Sequence, residues 1–339
     1  MNPRYTVFLD ESFDGFMNLS KDDGYFCYAA LMVPTAKLPD LERFWAANRE
    51  KLATAYARAT GFQPQGEFKS GLLNKLGFET RRTFGDRLAR FLAKNDCYVA
   101  GFYTTVRNTL LYRVRTEVAK ADEARELPPD WERLVASEKA RLLEDKPNHP
   151  GDAHVLVWPF HQTLSITMNW LTALGQDFAV VYDPRQKRED RYLITHADDW
   201  LRREAEAKKM GEVYKGVTAA LRSSESSGLI LVDLVLRDVR HLFQDVPELL
   251  IEQSGLQLIL LEQQAAEVVP MESGGHILKW GDRRPMTEAL QRRLACPTPN
   301  STVPLYFQSL AGGKLSCNAA FGESRVVNFG LRAFEDMVD

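Results

Sequence analysis

Short apolar runs bounded by polar and turn residues mark the strands of this sequence. Tyr5–Leu9 (YTVFL) and Tyr25–Val33 (YFCYAALMV) are rich in β-branched and aromatic residues, as buried strands are. The polar segment between them is longer than a two-residue turn, so the pattern predicts an antiparallel hairpin with a long loop. Cys97–Val106 and Asp177–Tyr182 are the third and fourth predicted strands, and residues 216–222 are a short further one.

Between these strands, apolar residues recur at helical spacing. The pattern predicts helices near residues 41–56, from about Glu79, around 160–171, over about 189–209 and across Gly228–Phe243. This order of strands and helices predicts an α/β fold in which a mixed sheet is flanked by helices. In such sheets, ligand sites lie beyond the carboxyl ends of the strands.

The length of the chain, 339 residues, is enough for about two domains. We predict one domain over 1–244, with a mostly helical insertion at about 108–175, and a C-terminal α+β extension over 245–339. Within the extension, residues 248–269 have helix-like apolar spacing. The extension could serve dimerisation, bind a partner or cover an edge of the sheet.

Composition and charge exclude several classes of protein. Lys and Arg number 43 against 46 Asp and Glu, and the net charge of −3 excludes a histone-like nucleic-acid binder but not a local basic groove. The four cysteines, Cys27, Cys97, Cys296 and Cys317, lie far apart without a CxxC pair, which excludes a zinc ribbon. There is no signal-peptide pattern and no apolar stretch of ~18 residues, so we expect a cytoplasmic protein without a membrane partner.

Several acidic residues lie next to or inside apolar runs, where a carboxylate is unusual. Asp10 and Asp183 each follow directly on an apolar strand, and Asp233 lies inside the apolar run LILVDLVL. Burying a carboxylate is costly unless it is paired or binds a cation. Together with Glu11, these acids would supply the hard oxygen ligands that Mg²⁺ or Mn²⁺ prefers.

Each acid also has a purely structural explanation. An Asp at the end of a strand is often a turn residue or the N-cap of a helix. Asp233 could instead form an ion pair with Arg237 or Arg240, which follow it in the same predicted helix.

Residues 67–94 carry a local excess of positive charge, with seven basic and three acidic side chains. This segment could form a groove wall that follows a nucleic-acid backbone. It could equally be a basic helix face that acids elsewhere balance. Lys69 could contact a phosphate or stabilise charge in a transition state, or be a solvated surface residue.

The motif FLDES at residues 8–12 resembles the opening of the family known as domain of unknown function 3800, which is associated with an RNase H-like fold. That family has an Asp-Glu pair after its first strand, which Asp10 and Glu11 match. It also has a Gln-x-x-Asp motif near the end of the domain. The segment 223–236 is similar to this second motif, with Asp233 as its acid and Ile230 where the family has Gln.

One further feature completes the resemblance, which covers about residues 4–244. The run from Glu67 to Lys69 is similar to the acid and neighbouring basic residue in the middle of the family's sequences. The resemblance implies that the domain is RNase H-like and is a divalent-metal-dependent nuclease that uses Mg²⁺ or Mn²⁺. DNA and RNA are both open as the nucleic-acid substrate.

The resemblance also implies a role for each acid. Asp10 would be the central, metal-bridging carboxylate, with Asp183 and Asp233 as further ligands. Glu67 would be the remaining acid, with Glu11 as its substitute, and Lys69 would act on the phosphate. The departure at the family's Gln position favours an alternative, a non-catalytic module of the same fold that binds nucleic acid or protein in phage defence or a mobile element. A nucleotide-metabolising hydrolase is a third possibility.

Overall fold

Strands and helices alternate along the chain in the order that the apolar runs predict. The structure is a computed structural model, and it describes residues 3–14, 24–65, 68–111, 114, 126–127, 129–144, 157–183, 198–199, 201–203, 205–206, 213–220, 225–244, 256–263, 266–272, 274, 276–280, 306–311 and 314–315. Its strands are β1 (Tyr5–Asp14), β2 (Tyr25–Pro34), β3 (Tyr98–Thr105), β4 (Glu126–Leu127), β5 (Phe178–Tyr182), β6 (Tyr214–Ala220), β7 (Gln257–Gln263), β8 (Ala266–Pro270), β9 (His276–Trp280), β10 (Tyr306–Ala311) and β11 (Lys314–Leu315). Helices include α1 (Leu38–Thr60), α2 (Ser70–Leu73), α3 (Phe78–Lys94), α4 (Trp131–Glu144), α5 (Val157–Ala173) and α6 (Ser227–Phe243).

The main sheet has eight strands in the order β11-β10-β7-β3-β2-β1-β5-β6. β1, β2 and β3 are antiparallel neighbours, whereas β5 runs parallel to β1, and β6 runs parallel to β5. A separate three-stranded sheet has the order β4-β9-β8. The predicted mixed sheet with flanking helices is therefore confirmed, and so is the antiparallel hairpin of β1 and β2.

The helix-like spacing at residues 248–269 gave a wrong expectation, because this part of the chain contains β7 and β8. A short apolar run such as QLILLEQ has no periodicity that separates a strand from a buried helix. Parallel pairing with β3 makes this segment a strand, since that pairing satisfies the backbone groups of β7 along the edge of the sheet. β7 therefore covers an edge that β3 would otherwise expose, which is one of the three roles open for the extension.

Side chains alternate between two faces of the sheet, and each face has its own core. On the α5 face, Val7 and Leu9 of β1 pack in one cluster with α5. On the α6 face, Phe8 of β1 and Val181 of β5 pack in a second cluster with α1, α3 and α6. No helix in the described part of the chain is long and apolar enough to cross a membrane.

A glycine allows α6 to lie directly against β1. A Cβ atom on Gly228 would be 2.4 Å from the ring of Phe8, which is itself only 4% exposed. Ser226 precedes the helix, and its Oγ accepts a hydrogen bond from the N–H of Leu229 at 3.4 Å, as an N-cap serine does. Residues near the start of α6 are thus held at the level of Phe8.

Candidate functional site

β1 continues to Asp14, past the end that the apolar run predicts, so Asp10 lies within the strand, beside Asp183, which follows β5. The parallel register pairs Leu9 with Tyr182, so Asp10 and Asp183 are the next residues along the two chains. Neighbouring strands lie ~4.8 Å apart. Asp10 and Asp183 come two residues after Phe8 and Val181, both on the α6 face, and the alternation along a strand assigns the acids to the same face. Both acids are partly buried.

α6 crosses the same face and contributes Asp233. The helix starts beside Phe8, and Asp233 follows Gly228 by five residues, a rise of ~7.5 Å. Asp10 follows Phe8 by two residues, ~6.6 Å along the strand. Further along both elements, Arg240 bonds to Ser12 at 3.2 Å, so the helix and the strand advance in the same direction, which brings Asp233 near the level of Asp10.

The neighbouring acids change the pKa of Asp10. Burial raises the pKa of Asp10 well above its usual value, and the carboxylates of Glu11, Asp233 and Asp183 raise it further. A hydrogen bond from the N–H of Glu11 to Asp10 Oδ1, at 2.9 Å, acts in the opposite direction. Three of the other four acids that the sequence singles out thus lie within electrostatic reach of Asp10. Glu11 is assigned to the α5 face by the alternation along β1.

Asp233 also has a structural role. Its Oδ2 accepts the backbone N–H of Ser70 at 2.6 Å, and its Oδ1 accepts the Ser70 hydroxyl at 2.9 Å. Asp233 therefore fixes the first turn of α2 against α6. The two arginines considered as its partners bond elsewhere, because Arg237 pairs with Asp238 at 3.0 Å and Arg240 donates to hydroxyl groups.

Lys69 is brought next to this site, whereas Glu67 lies outside the described residues. Lys69 precedes Ser70 and is the N-cap residue of α2, with an exposed side chain. Its position beside the Asp233 contact is compatible with the predicted action on a phosphate, which stays a prediction.

The basic segment 67–94 lies largely on α3. Two of its arginines form ion pairs within the helix, Arg82 with Glu79 at 3.3 Å and Arg90 with Asp86 at 3.8 Å. Exposed pairs of this kind are typical of a solvated helix face and stabilise a protein by ~0–1 kcal/mol. These contacts favour the structural interpretation for that part of the segment.

Arg240 is a charged residue of the site that the sequence suggested only as a partner for Asp233. It follows Asp233 by seven residues, two helical turns, and so lies on the same side of α6. Its Nη1 donates to Ser12 Oγ and to the Tyr25 hydroxyl, at 3.2 Å each. Ser12 comes two residues after Asp10 on β1, so this guanidinium lies one step further along the same face. The seven-residue spacing from Asp233 to Arg240 is the sequence feature that could have identified Arg240 as part of the site.

The oxygen ligands suit a hard divalent cation, although the present side-chain positions do not assemble a complete ligand set. Among the described residues, no group of three His, Cys, Asp or Glu side chains could hold a metal ion. Mg²⁺, however, is commonly bound by one or two carboxylates together with waters and substrate phosphates. A carboxylate has about four lone-pair positions, so the two bonds from Ser70 leave Asp233 able to accept further ones.

Comparisons with known proteins add no relative, since the chain matches no family model, no curated protein and no solved structure. The resemblance to domain of unknown function 3800 consequently rests on the motifs at Asp10, Glu11 and Asp233. What it implies about fold and activity stays a prediction.

Proposed function

We propose that this protein is a divalent-metal-dependent nuclease that hydrolyses phosphodiesters at Asp10 and its neighbouring acids Glu11, Asp183 and Asp233, the Asp10 cluster. The observation that carries the proposal is the gathering of Glu11, Asp183 and Asp233 within electrostatic reach of Asp10. Like charges in a partly buried place disfavour one another. Such unfavourable clusters occur most often at functional sites, where a cation or substrate offsets them.

We further propose that the domain has an RNase H-like fold. The part of the sheet that supports this is β3-β2-β1-β5-β6, an antiparallel meander followed by two strands parallel to β1. The predicted acids belong to β1, to the end of β5 and to α6, which is where the family resemblance expects them. Asp10 then occupies the central strand of this group.

In the proposed mechanism, the residues of the chain supply position and charge. Asp10 within β1 and Asp183 after β5 would hold the cation, and two hydrogen bonds from Ser70 fix the carboxylate of Asp233. When bound, a divalent cation supplies an activated water and stabilises negative charge on the phosphate oxygens. Because burial and the neighbouring carboxylates raise the pKa of Asp10, protons compete with a cation for this carboxylate, and cation binding should weaken as the pH falls.

A second candidate function is a non-catalytic module that binds nucleic acid or protein. The bonds from Ser70 favour it, because they account for Asp233 as the residue that fixes α2. In this case, the acids of the cluster would have a structural role only, and substituting them would leave binding unchanged.

Cleavage assays with matched variants distinguish the two functions. Labelled single- and double-stranded DNA and RNA are incubated with Mn²⁺ and with wild-type, Asp10→Asn, Asp233→Asn or Asp86→Asn protein. Asp86 on α3, in an ion pair with Arg90, is the control. The nuclease proposal expects metal-dependent cleavage that falls by about 100-fold or more in the first two variants and persists in the control. Absence of cleavage of every substrate, with binding that all variants retain, would assign the binding module instead.

A further inference from the structure

Arg240 holds a positive charge beside the acidic cluster, and neutral groups fix its position. Its guanidinium donates to the hydroxyls of Ser12 and Tyr25, each at 3.2 Å. A third contact joins Nη2 to His241 Nε2 at 3.2 Å. Burial, and then the charges of Arg237 and Arg240, lower the pKa of His241 to about 4. The imidazole is therefore neutral at pH 7, and Nε2 accepts this bond in the Nδ1-protonated tautomer.

Three other arginines with a fixed position are each paired with a carboxylate, and Arg240 differs from them. Arg237 pairs with Asp238 at 3.0 Å, Arg141 with Glu138 at 2.7 Å and Arg202 with Asp198 at 2.9 Å. Within the described part of the chain, the hydrogen bonds of Arg240 go only to neutral groups, and its buried Nε has no acceptor. Arg240 thus keeps its charge without a carboxylate partner and, because the residue is only partly buried, is open to another anion.

The residues around Arg240 indicate the chemical class of the anion that it would bind. The Asp10 cluster repels a second carboxylate, but a phosphate that bridges a cation and a guanidinium would offset both charges. Arginine suits this task because its planar fork presents several donors to phosphate oxygens. Ser12 and Tyr25 hold the fork in place before any ligand arrives, and Tyr25 is itself stacked on Tyr103, with ring centroids 5.8 Å apart. A preorganised donor loses little freedom on binding.

We propose that Arg240 binds a backbone phosphate of a nucleic acid and thereby aligns the strand with the Asp10 cluster. This inference rests on the proposed function for its substrate class. It adds a contact that holds for a nuclease and for a binding module alike, since both need the phosphate backbone.

The test measures binding rather than cleavage. A fluorescently labelled single-stranded DNA of mixed sequence is titrated with protein in Ca²⁺, at several salt concentrations, and the DNA is checked for integrity afterwards. The proteins are wild type, Arg240→Gln, Arg240→Lys and the control Arg90→Gln, which removes an exposed charge from α3. Ser12→Ala is a milder variant that keeps the Arg240 charge but removes one group that orients it.

The proposal expects a distinct pattern across these variants. Arg240→Gln should weaken binding by about tenfold or more, the loss of one hydrogen-bonded charge. It should also reduce the slope of log affinity against log salt by about 0.7, which is the loss of one phosphate contact on a single strand. Arg240→Lys should retain the wild-type slope at lower affinity, and Ser12→Ala should do the same. Arg90→Gln should leave both affinity and slope at wild-type values.

Three results would overturn the proposal. These are an unchanged affinity and slope in Arg240→Gln, an absence of saturable binding by the wild type, and displacement of the DNA by a mononucleotide at equal concentration. The last would assign the contact to a free nucleotide. Loss of binding in Arg240→Gln without any cleavage by the wild type would support Arg240 and reject the nuclease. Cleavage that survives Arg240→Gln with unchanged binding would reject Arg240 and keep the nuclease.

Discussion

At the residue scale, Asp10 shows how surroundings change the behaviour of a common side chain. Its position after an apolar run is typical of a turn residue, yet it lies within β1, and burial and three neighbouring carboxylates raise its pKa. The charged form is therefore costly in the folded protein. A cation bound at this place would offset the cost, which connects the stability of the fold with the proposed site.

The pKa of Asp10 gives a prediction about stability. The folded protein holds the Asp10 proton more tightly than the unfolded chain, whose carboxyl has an ordinary pKa near 3.8. Stability should therefore fall as the pH rises from that value through the raised folded pKa. We expect Asp10→Asn to unfold at a higher temperature than the wild type at neutral pH without divalent cations. Thermal unfolding at acid and neutral pH measures the difference, which should vanish at acid pH.

Addition of Mn²⁺ should reverse the order of the two unfolding temperatures, so that the wild type unfolds at a higher temperature than Asp10→Asn. A ligand that binds only the folded state stabilises it by about 2.7 kcal/mol at a concentration of 100 times its Kd. We expect this increase for the wild type, and little or none for Asp10→Asn. An equal effect of Mn²⁺ on both proteins would argue against a cation at Asp10.

At the element scale, the placement of α6 decides which residues meet. The helix packs against β1 through Gly228, is capped by Ser226 and is fixed to α2 by Asp233. These contacts bring Asp233 to Asp10 and Arg240 to Ser12. A change in the height of α6 above the sheet would therefore disturb both the acidic cluster and the guanidinium.

Gly228→Ala tests this packing. Helix propensity alone would favour Ala by about 1 kcal/mol. The new Cβ, however, would stand 2.4 Å from the buried ring of Phe8, and overpacking of a core costs about 1–3 kcal/mol. We expect the clash to outweigh the propensity, with a net loss of about 1 kcal/mol in urea unfolding. Gly71→Ala in α2 is the control, because nothing lies within 4 Å of its added Cβ. A variant at Gly228 as stable as the wild type would show that α6 tolerates displacement.

At the scale of the whole molecule, the main sheet joins segments on both sides of the predicted domain boundary. That boundary follows α6, at residue 244, but β7 pairs with β3 from Tyr98 opposite Gln257 to Tyr103 opposite Glu262. The centre of the sheet is thus extended by a strand from the C-terminal part of the chain. An exposed strand edge is a template for aggregation, and β7 removes it from β3.

Truncation after residue 244 tests whether β7 is needed. The shortened protein would expose the backbone of β3, which includes the buried Ala100 and Phe102. We expect it to aggregate, and size-exclusion chromatography with light scattering would detect this. A soluble monomer with the circular dichroism of a folded α/β protein would instead support residues 1–244 as an independent domain.

The sequence alone determined most elements and their type, because apolar period and turn residues are local properties. It also located Asp183 at a strand end and Asp233 in a helix, whereas the strand end that it predicted at Asp10 was wrong because β1 continues to Asp14. Only the tertiary structure decided that β5 lies beside β1, that residues 257–263 and 266–270 are strands, and that Asp233 meets Ser70 across 163 residues of chain. The contact of Arg240 with Ser12 spans 228 residues. Such pairings depend on which surfaces bury each other, and no local pattern encodes that choice.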